Sequence, residues 1–262
     1  MRQVPKVTYL IIGNGRTARH ILHYLGLLDY PTLNWHYRSQ KSCQNTACFS
    51  EPADLRRLAD QSDRILLLIK DSAIESFLEL YPFLRTKKTV HFSGALDVQG
   101  ISNCHPLISF SHELFELDFY RRIPFARFNE MTDLNQILPG LKNPSFFVPK
   151  QSKPLYHGLC VAGGNLMVLL WQLVEREFTQ HFGVNHDLLI PYLESITGNL
   201  KNHWHQALTG PIARRDENTL NKNYVALTNT PLKAIFEAHI REAWPEFADR
   251  HFNQDSSQTP SL

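Results

Sequence analysis

The chain has 262 residues, a hydrophobic fraction of 43%, a charged fraction of 20% and a formal net charge of +2. This is the profile of a folded globular protein, long enough for one large domain or two ordinary ones. With so small a net charge and no long basic stripe, nucleic acid is not an expected partner. The longest apolar runs, such as 64–70, are too short to span a bilayer. Residues 1–6 lead into the first strand with no signal segment, so no membrane is expected. The four cysteines (Cys43, Cys48, Cys104, Cys160) form no C-x-x-C pair. The thirteen histidines show no helical H-x-x-x-H or H-E-x-x-H spacing. Free thiols in a reducing cytoplasm, and no metal, are the expectation.

In chain order, an apolar strand is expected over 7–13, and it stops at Gly13-Asn14-Gly15-Arg16-Thr17-Ala18, a G-x-G-x-x-A pattern. A helix pattern follows, with Ile21, Leu22, Leu25 and Leu28 on one face. Strand, glycine turn and helix in that order mark a dinucleotide site. Gly13 permits the turn, Gly15 lets a pyrophosphate approach the backbone, and Ala18 lets the helix lie close to the strand. The free N–H groups of the helix then face the phosphates. The plainer alternative is an ordinary βα turn that holds two glycines. A second strand, 33–38, ends in Arg38-Ser39-Gln40-Lys41 and carries no carboxylate for a ribose 2′-hydroxyl. Arg38, Ser39 and Lys41 suit a 2′-phosphate, which points to NADP; otherwise Arg38 and Lys41 are solvated surface cations.

Further strands are expected over 65–69, 89–93 and 146–149, with weaker ones at 102–105 and 125–128. Runs without alternation suit parallel strands covered on both faces. After the third strand, Asp71 begins a helix, and Ser72 with Glu75 has the spacing of a capping box. The strand 89–93 brings His91 and Ser93 to a carboxyl end, and Gly94 would let a ligand come close. His105 precedes Pro106 and is therefore extended. A histidine can serve as a general acid at neutral pH, although a lone one is more often structural.

From about residue 152 the period becomes helical. One long amphipathic helix carries Leu155, Leu159, Leu166, Leu173 and Phe178 and closes near Gly183; others are expected over 188–204, 217–227 and 232–244. Three glycines in the first (Gly158, Gly163, Gly164) each cost about 1 kcal/mol relative to alanine and suggest that something packs close. His157 and Asn165, eight residues apart, would share a face. Gly210-Pro211 breaks a helix ahead of Arg214-Arg215-Asp216. Arg214 could clamp an anionic group, or Asp216 could simply cap the next helix. The polar tail 253–262 reads as disordered. The fold class expected is α/β: a doubly wound, mostly parallel sheet over 1–150, followed by a separate all-helical domain over 151–252.

The residues His91-Phe92-Ser93-Gly94, His105 through Phe110, Tyr156-His157 through Asn165, and Leu208 through Arg214 with Asp216 resemble a bacterial family. Its members join a Rossmann-like NADP domain to a helical domain of no settled function. That family is similar to pyrroline-5-carboxylate reductase, ketopantoate reductase and the 6-phosphogluconate dehydrogenase group. The resemblance implies hydride transfer with NADP and homodimerisation through the helical domain. It departs at Gly164, where the family tends to have Ser, and at Arg215, where it tends to have Gly. The hydroxyacid-oxidising relatives carry a lysine four before the asparagine, where this chain has Val161. Reduction of a C=N or C=O group of a small anionic metabolite is therefore the expected activity. His105, His157, Asn165 and Ser93 would be catalytic, and Ser93 and Arg214 would bind substrate. Gly13, Asn14, Gly15, Arg16, Thr17, Ala18, Arg38 and Ser39 would bind cofactor. The alternatives are a non-catalytic NADP sensor and a deazaflavin-dependent reductase.

Overall fold

The structure is a computed structural model that describes residues 6–36, 48–49 and 51–252. Arg38, Ser39, Lys41 and the tail 253–262 lie outside the described residues. The chain divides into two compact units, Met1–Gly164 and Asn165–Leu262.

The first unit is built on eight strands: β1 (Tyr9–Ile12), β2 (Thr32–Trp35), β3 (Cys48–Phe49), β4 (Arg64–Leu67), β5 (Thr89–His91), β6 (Ser102–Pro106), β7 (Phe125–Arg127) and β8 (Ser145–Phe147). They run in the order β3-β2-β1-β4-β5-β6-β7-β8. Every pairing is parallel except β6 with β7. The expected doubly wound α/β fold is therefore observed, and the chain reverses its direction of growth between β1 and β4.

β1 shows why its run of apolar residues does not alternate with polar ones. All four residues are fully buried, because each face of the strand has its own core. Tyr9 and Ile11 pack with Ala18, Ile21, Tyr24 and Leu25 of α1 (Arg16–Leu27). Leu10 and Ile12 pack with Leu55 and Leu58 of α2 (Pro52–Asp60) and with Ile74 and Leu78 of α3 (Asp71–Leu80). The expected capping box at Ser72 and Glu75 does not form. α3 begins at Asp71, as expected, with Lys70 at its cap and no side-chain cap hydrogen bond. The capping box in this unit is at Asp133 and Gln136, around α5 (Leu134–Ile137), after α4 (Leu117–Arg122).

α6 (Lys153–Cys160) still belongs to the first unit, so the division falls later than the expected boundary at residue 150. A π-helical stretch, Val161–Leu166, follows it. Gly163 and Gly164 lie in this stretch. A Cβ built on Gly158, Gly163 or Gly164 would meet nothing within 4 Å, so the expectation of close packing fails within this chain. The shared face expected of His157 and Asn165 assumed 3.6 residues per turn, which the π turns between them do not keep.

The second unit holds α7 (Met167–Phe182), α8 (His186–Asn202), α9 (Gly210–Arg214), α10 (Glu217–Ala226), α11 (Leu232–Ala243) and α12 (Pro245–His251). No strand occurs among its described residues. Gly183 ends α7 in the left-handed conformation, φ 66°. Asp216 caps α10 by accepting from the Thr219 N–H, the plainer of the two roles expected at this turn. Its core gathers Leu220, Tyr224, Ile240, Trp244 and Phe247. By length and composition, the helical stretch Lys150–Phe182 is long and apolar enough to cross a membrane, contrary to the expectation from its short apolar runs.

Candidate functional site

In an open α/β sheet, ligands bind beyond the carboxyl ends of the strands, where the strand order reverses. A cleft of about 440 Å³ lies there. It is lined by Gly13 through Thr17 after β1, Leu67 through Asp71 after β4, Phe92 and Ser93 after β5, and His105 and Pro106 on β6. The expected cofactor turn and two of the expected catalytic residues are thus brought to one cavity.

The two turn glycines differ. Gly13 has φ +133°, and a Cβ there would sit 2.3 Å from the Leu68 carbonyl oxygen, so it lets β1 and β4 close on each other. Asn34 of β2 steadies this turn, donating from Nδ2 to the carbonyls of Ile11 and Gly13. Gly15 is extended, and a Cβ on it would meet nothing within 4 Å. Its missing side chain leaves open space at the start of α1, which has neither a side-chain cap nor an acidic residue in its first turn. Arg16 and Lys70 both line the cleft and have no partner among the described residues. Ala18 is buried in the core behind the turn. Two unpaired cations beside an uncapped helix N-terminus favour a ligand with negative charge.

Ser93 lines the cleft, but its hydroxyl is already committed. It donates to Asp71 Oδ2 at 2.5 Å and accepts from the N–H groups of Ala95 and Leu96 at 3.2 and 3.0 Å. It is a pin between α3 and the loop after β5 rather than a free catalytic hydroxyl. His91 is fully buried, and its Nδ1 accepts from the Ser93 N–H at 3.3 Å. Its Nε2 is buried with no hydrogen-bond partner. Burial, then the nearby Lys153 charge, lowers its pKa to about 4.

His105 reaches the cleft and is held from behind. Its Nδ1 lies 2.7 Å from the Tyr156 hydroxyl of α6, with the two rings edge to face. The His157 ring is 6.4 Å away, centroid to centroid. A Cβ on Gly94 would lie 3.2 Å from both imidazoles, so that glycine makes room for the histidines rather than for a ligand. Burial first, then the His157 and Lys153 charges against an opposing Asp71, lowers the His105 pKa to about 4. His105 is therefore held as a neutral imidazole at physiological pH, which leaves it hydrogen-bonding nitrogens rather than an imidazolium charge.

Sequence reasoning missed Lys153 and Tyr156. Lys153 is buried, donates to the Leu96 carbonyl and lies 4.2 Å from the Phe128 ring centroid. Burial lowers its pKa to about 8. Lys153, Tyr156 and His157 stand at i, i+3 and i+4, so one face of α6 carries all three. Besides Tyr156 standing in a stretch that carries the family resemblance, that spacing is the signal the sequence offers, and it points to no partner. Of the remaining expected residues, Asn165 and Arg214 are exposed in the second unit, on the π-helical stretch and on α9.

Solved structures share this architecture. A candidate NADP oxidoreductase from Bacteroides fragilis is 19% identical, covers 91% of this chain and 98% of its own, and superposes with a TM-score of 0.69. The chain has the fold of the Rossmann-type NADP oxidoreductases. A Thermotoga maritima protein is 18% identical over 94% of this chain and 100% of its own, with a TM-score of 0.62. Pyrroline carboxylate reductase from Plasmodium falciparum, solved with NADP bound, is 12% identical over 94% and 98%, with a TM-score of 0.55. The resemblance read from the sequence is thus borne out for the fold. Residues 127–243 match a family described as a domain of unknown function, DUF2520. No curated protein matches the chain.

Proposed function

We propose that this protein is an NADP-dependent oxidoreductase that reduces the C=N or C=O group of a small, anionic metabolite. The observation that carries the reading is the cleft itself. It joins an open glycine turn and two cations without a partner among the described residues, Arg16 and Lys70, to a neutral histidine, His105. The residues fit a dinucleotide: the start of α1 is uncapped, and the space over Gly15 is vacant. Pyrroline carboxylate reductase, which shares the fold, was solved with NADP bound.

Gly13 through Thr17 would hold the pyrophosphate by backbone N–H groups, and Arg16 and Lys70 would balance its charge. Arg38 and Ser39 would meet the 2′-phosphate. Bound NADPH supplies the hydride. His105 would donate a hydrogen bond to the nitrogen or oxygen that gains electron density, as a neutral imidazole can, and a proton from water would complete the reduction. We also propose that the second unit forms a homodimer. Leu166, Met167, Val168 and Leu169 are exposed on and beside α7, as are Leu188, Ile190 and Tyr192 on α8, and a solitary chain would leave them in water.

Val161 stands where hydroxyacid-oxidising relatives carry lysine, which favours a second reading, a sensor that binds NADP without turnover. Calorimetry with NADPH, followed by a screen of cyclic imines and keto acids for NADPH oxidation, separates the two. Gly15→Val should weaken NADPH at least tenfold, about 1.4 kcal/mol, with the thermal melt unchanged. Equal affinity in the variant would remove the dinucleotide site.

A further inference from the structure

Tyr156 is neither at the cleft nor on the sheet, yet among the described residues it makes the one hydrogen bond to the His105 ring. Its hydroxyl lies 2.7 Å from Nδ1. Its ring is packed by Phe128 and Phe146, with centroids at 5.8 and 6.1 Å, and sits in a core with Ala126 and Val148. We propose that Tyr156 is a positioning residue that fixes the tautomer of His105: its O–H donates to Nδ1, so the imidazole proton sits on Nε2. This deepens the reading of His105 as a donor in the cleft and rests on it for its catalytic meaning.

Two neutral groups share this bond, and only one proton can lie between them. A phenol is a far stronger acid than a neutral imidazole, and an imidazole nitrogen is the better acceptor, so O–H···N is the favoured arrangement. Burial pushes the Tyr156 pKa further up, so the phenol keeps its proton. The ring is also confined. Gly94 lies against its Cγ and Cδ2, where a Cβ would be only 3.2 Å away, and Tyr156 closes the Nδ1 side. With the orientation and the tautomer both set from behind, Nε2–H is the donor left over. The logic is that of a third group orienting a catalytic histidine, with a phenol in place of a carboxylate. A carboxylate would draw the histidine toward its charged form; a phenol leaves it neutral. The groups that face His105 agree with this. His157, Lys153 and Tyr156 come from α6, and Asp71 from α3 is itself bound to Ser93.

The test is NMR of histidine-15N-labelled protein without cofactor or substrate, with His105 assigned by its loss in His105→Gln. In the wild type, Nδ1 should appear as an unprotonated, hydrogen-bonded nitrogen and Nε2 as a protonated one. In Tyr156→Phe, Nδ1 should move to the position of an unbonded nitrogen. The His105 titration should shift upward, because the bond lost favoured the neutral ring. A wild-type spectrum with the proton on Nδ1 overturns the proposal, as does a Tyr156→Phe ring with unchanged nitrogens and titration. Should that variant not fold, the wild-type spectrum alone decides. With NADPH and a cyclic imine, Tyr156→Phe should lose about tenfold in kcat with NADPH affinity kept. Because the NMR arms need no ligand, they fail independently of the reductase reading.

Discussion

Side chains a few ångströms apart in this cleft answer to different constraints, and substitution should separate them. Gly13 is fixed by the fold: its φ of +133° and the 2.3 Å approach to the Leu68 carbonyl leave no place for a Cβ. Gly13→Ala should therefore destabilise the protein by on the order of 3 kcal/mol, seen as a lower midpoint in urea. Gly15 faces space and should tolerate alanine with little change in the same measurement. His105 belongs to a third kind. Its replacement by glutamine keeps a polar group of similar reach but removes the ring held by Tyr156. His105→Gln should slow hydride transfer by roughly a hundredfold, the lower end of what a hydrogen-bond donor to developing charge contributes. NADPH affinity should stay within twofold when titrated by fluorescence. A loss of affinity equal to the loss of rate would make His105 a binding residue only.

α6 shows how a helix can belong to a site that its sequence does not announce. The strands were legible because their apolar runs did not alternate; β1, for example, packs a core on each face. The dinucleotide turn was legible because its residues are consecutive. β3 has two residues and no pattern of its own to read. The π-helical stretch was read as helix because glycines relax the period without removing the apolar spacing. The meaning of Lys153 and Tyr156 was hidden for a different reason. Their partners, Leu96 and His105, lie some fifty residues upstream, and only the sheet brings them near. Lys153 also carries a cost. Its pKa of about 8 lies below the ordinary lysine value, so folding disfavours its charged form. The stability lost this way is regained only as pH rises from about 8 through the unfolded value near 10.5. Lys153→Met should thus raise stability at pH 7 by on the order of 1 kcal/mol, after allowance for the lost Leu96 bond. The gain should shrink by pH 10. A variant less stable at both pH values would show that the carbonyl bond and the Phe128 contact outweigh the buried charge.

At the scale of the molecule, stability should fall on the acid side for a reason located in one small region. His91 and His105 both have folded pKa values of about 4, against an ordinary 6.5. Between these limits the unfolded chain binds protons that the folded one does not, so stability is full above pH 6.5 and is lost as pH falls toward 4. Two such groups should together remove on the order of 3 kcal/mol between pH 7 and pH 5. Urea titrations at the two pH values should show it, and His91→Gln with His105→Gln should flatten the difference. The helical unit poses the other whole-molecule question. None of the residues of α7 is buried, and Met167, Val168, Trp171, Leu189, Ile190 and Leu193 line an apolar groove between α7 and α8. The same surface would satisfy either a bilayer or a second copy of the chain. Glu175 and His186 also line that groove, and Glu175, Arg176 and Glu177 follow one another on α7, a poor fit to hydrocarbon and an ordinary fit to the rim of a protein interface. A dimer is therefore the expected state, with a light-scattering mass near twice the 30.3 kDa of the chain. Val168→Asp places a charge on the exposed apolar stretch, where it would have to be buried unpaired in the dimer. It should yield monomer at micromolar concentration with the helical circular dichroism kept. A wild-type monomer that floats with liposomes would reverse the assignment of that surface.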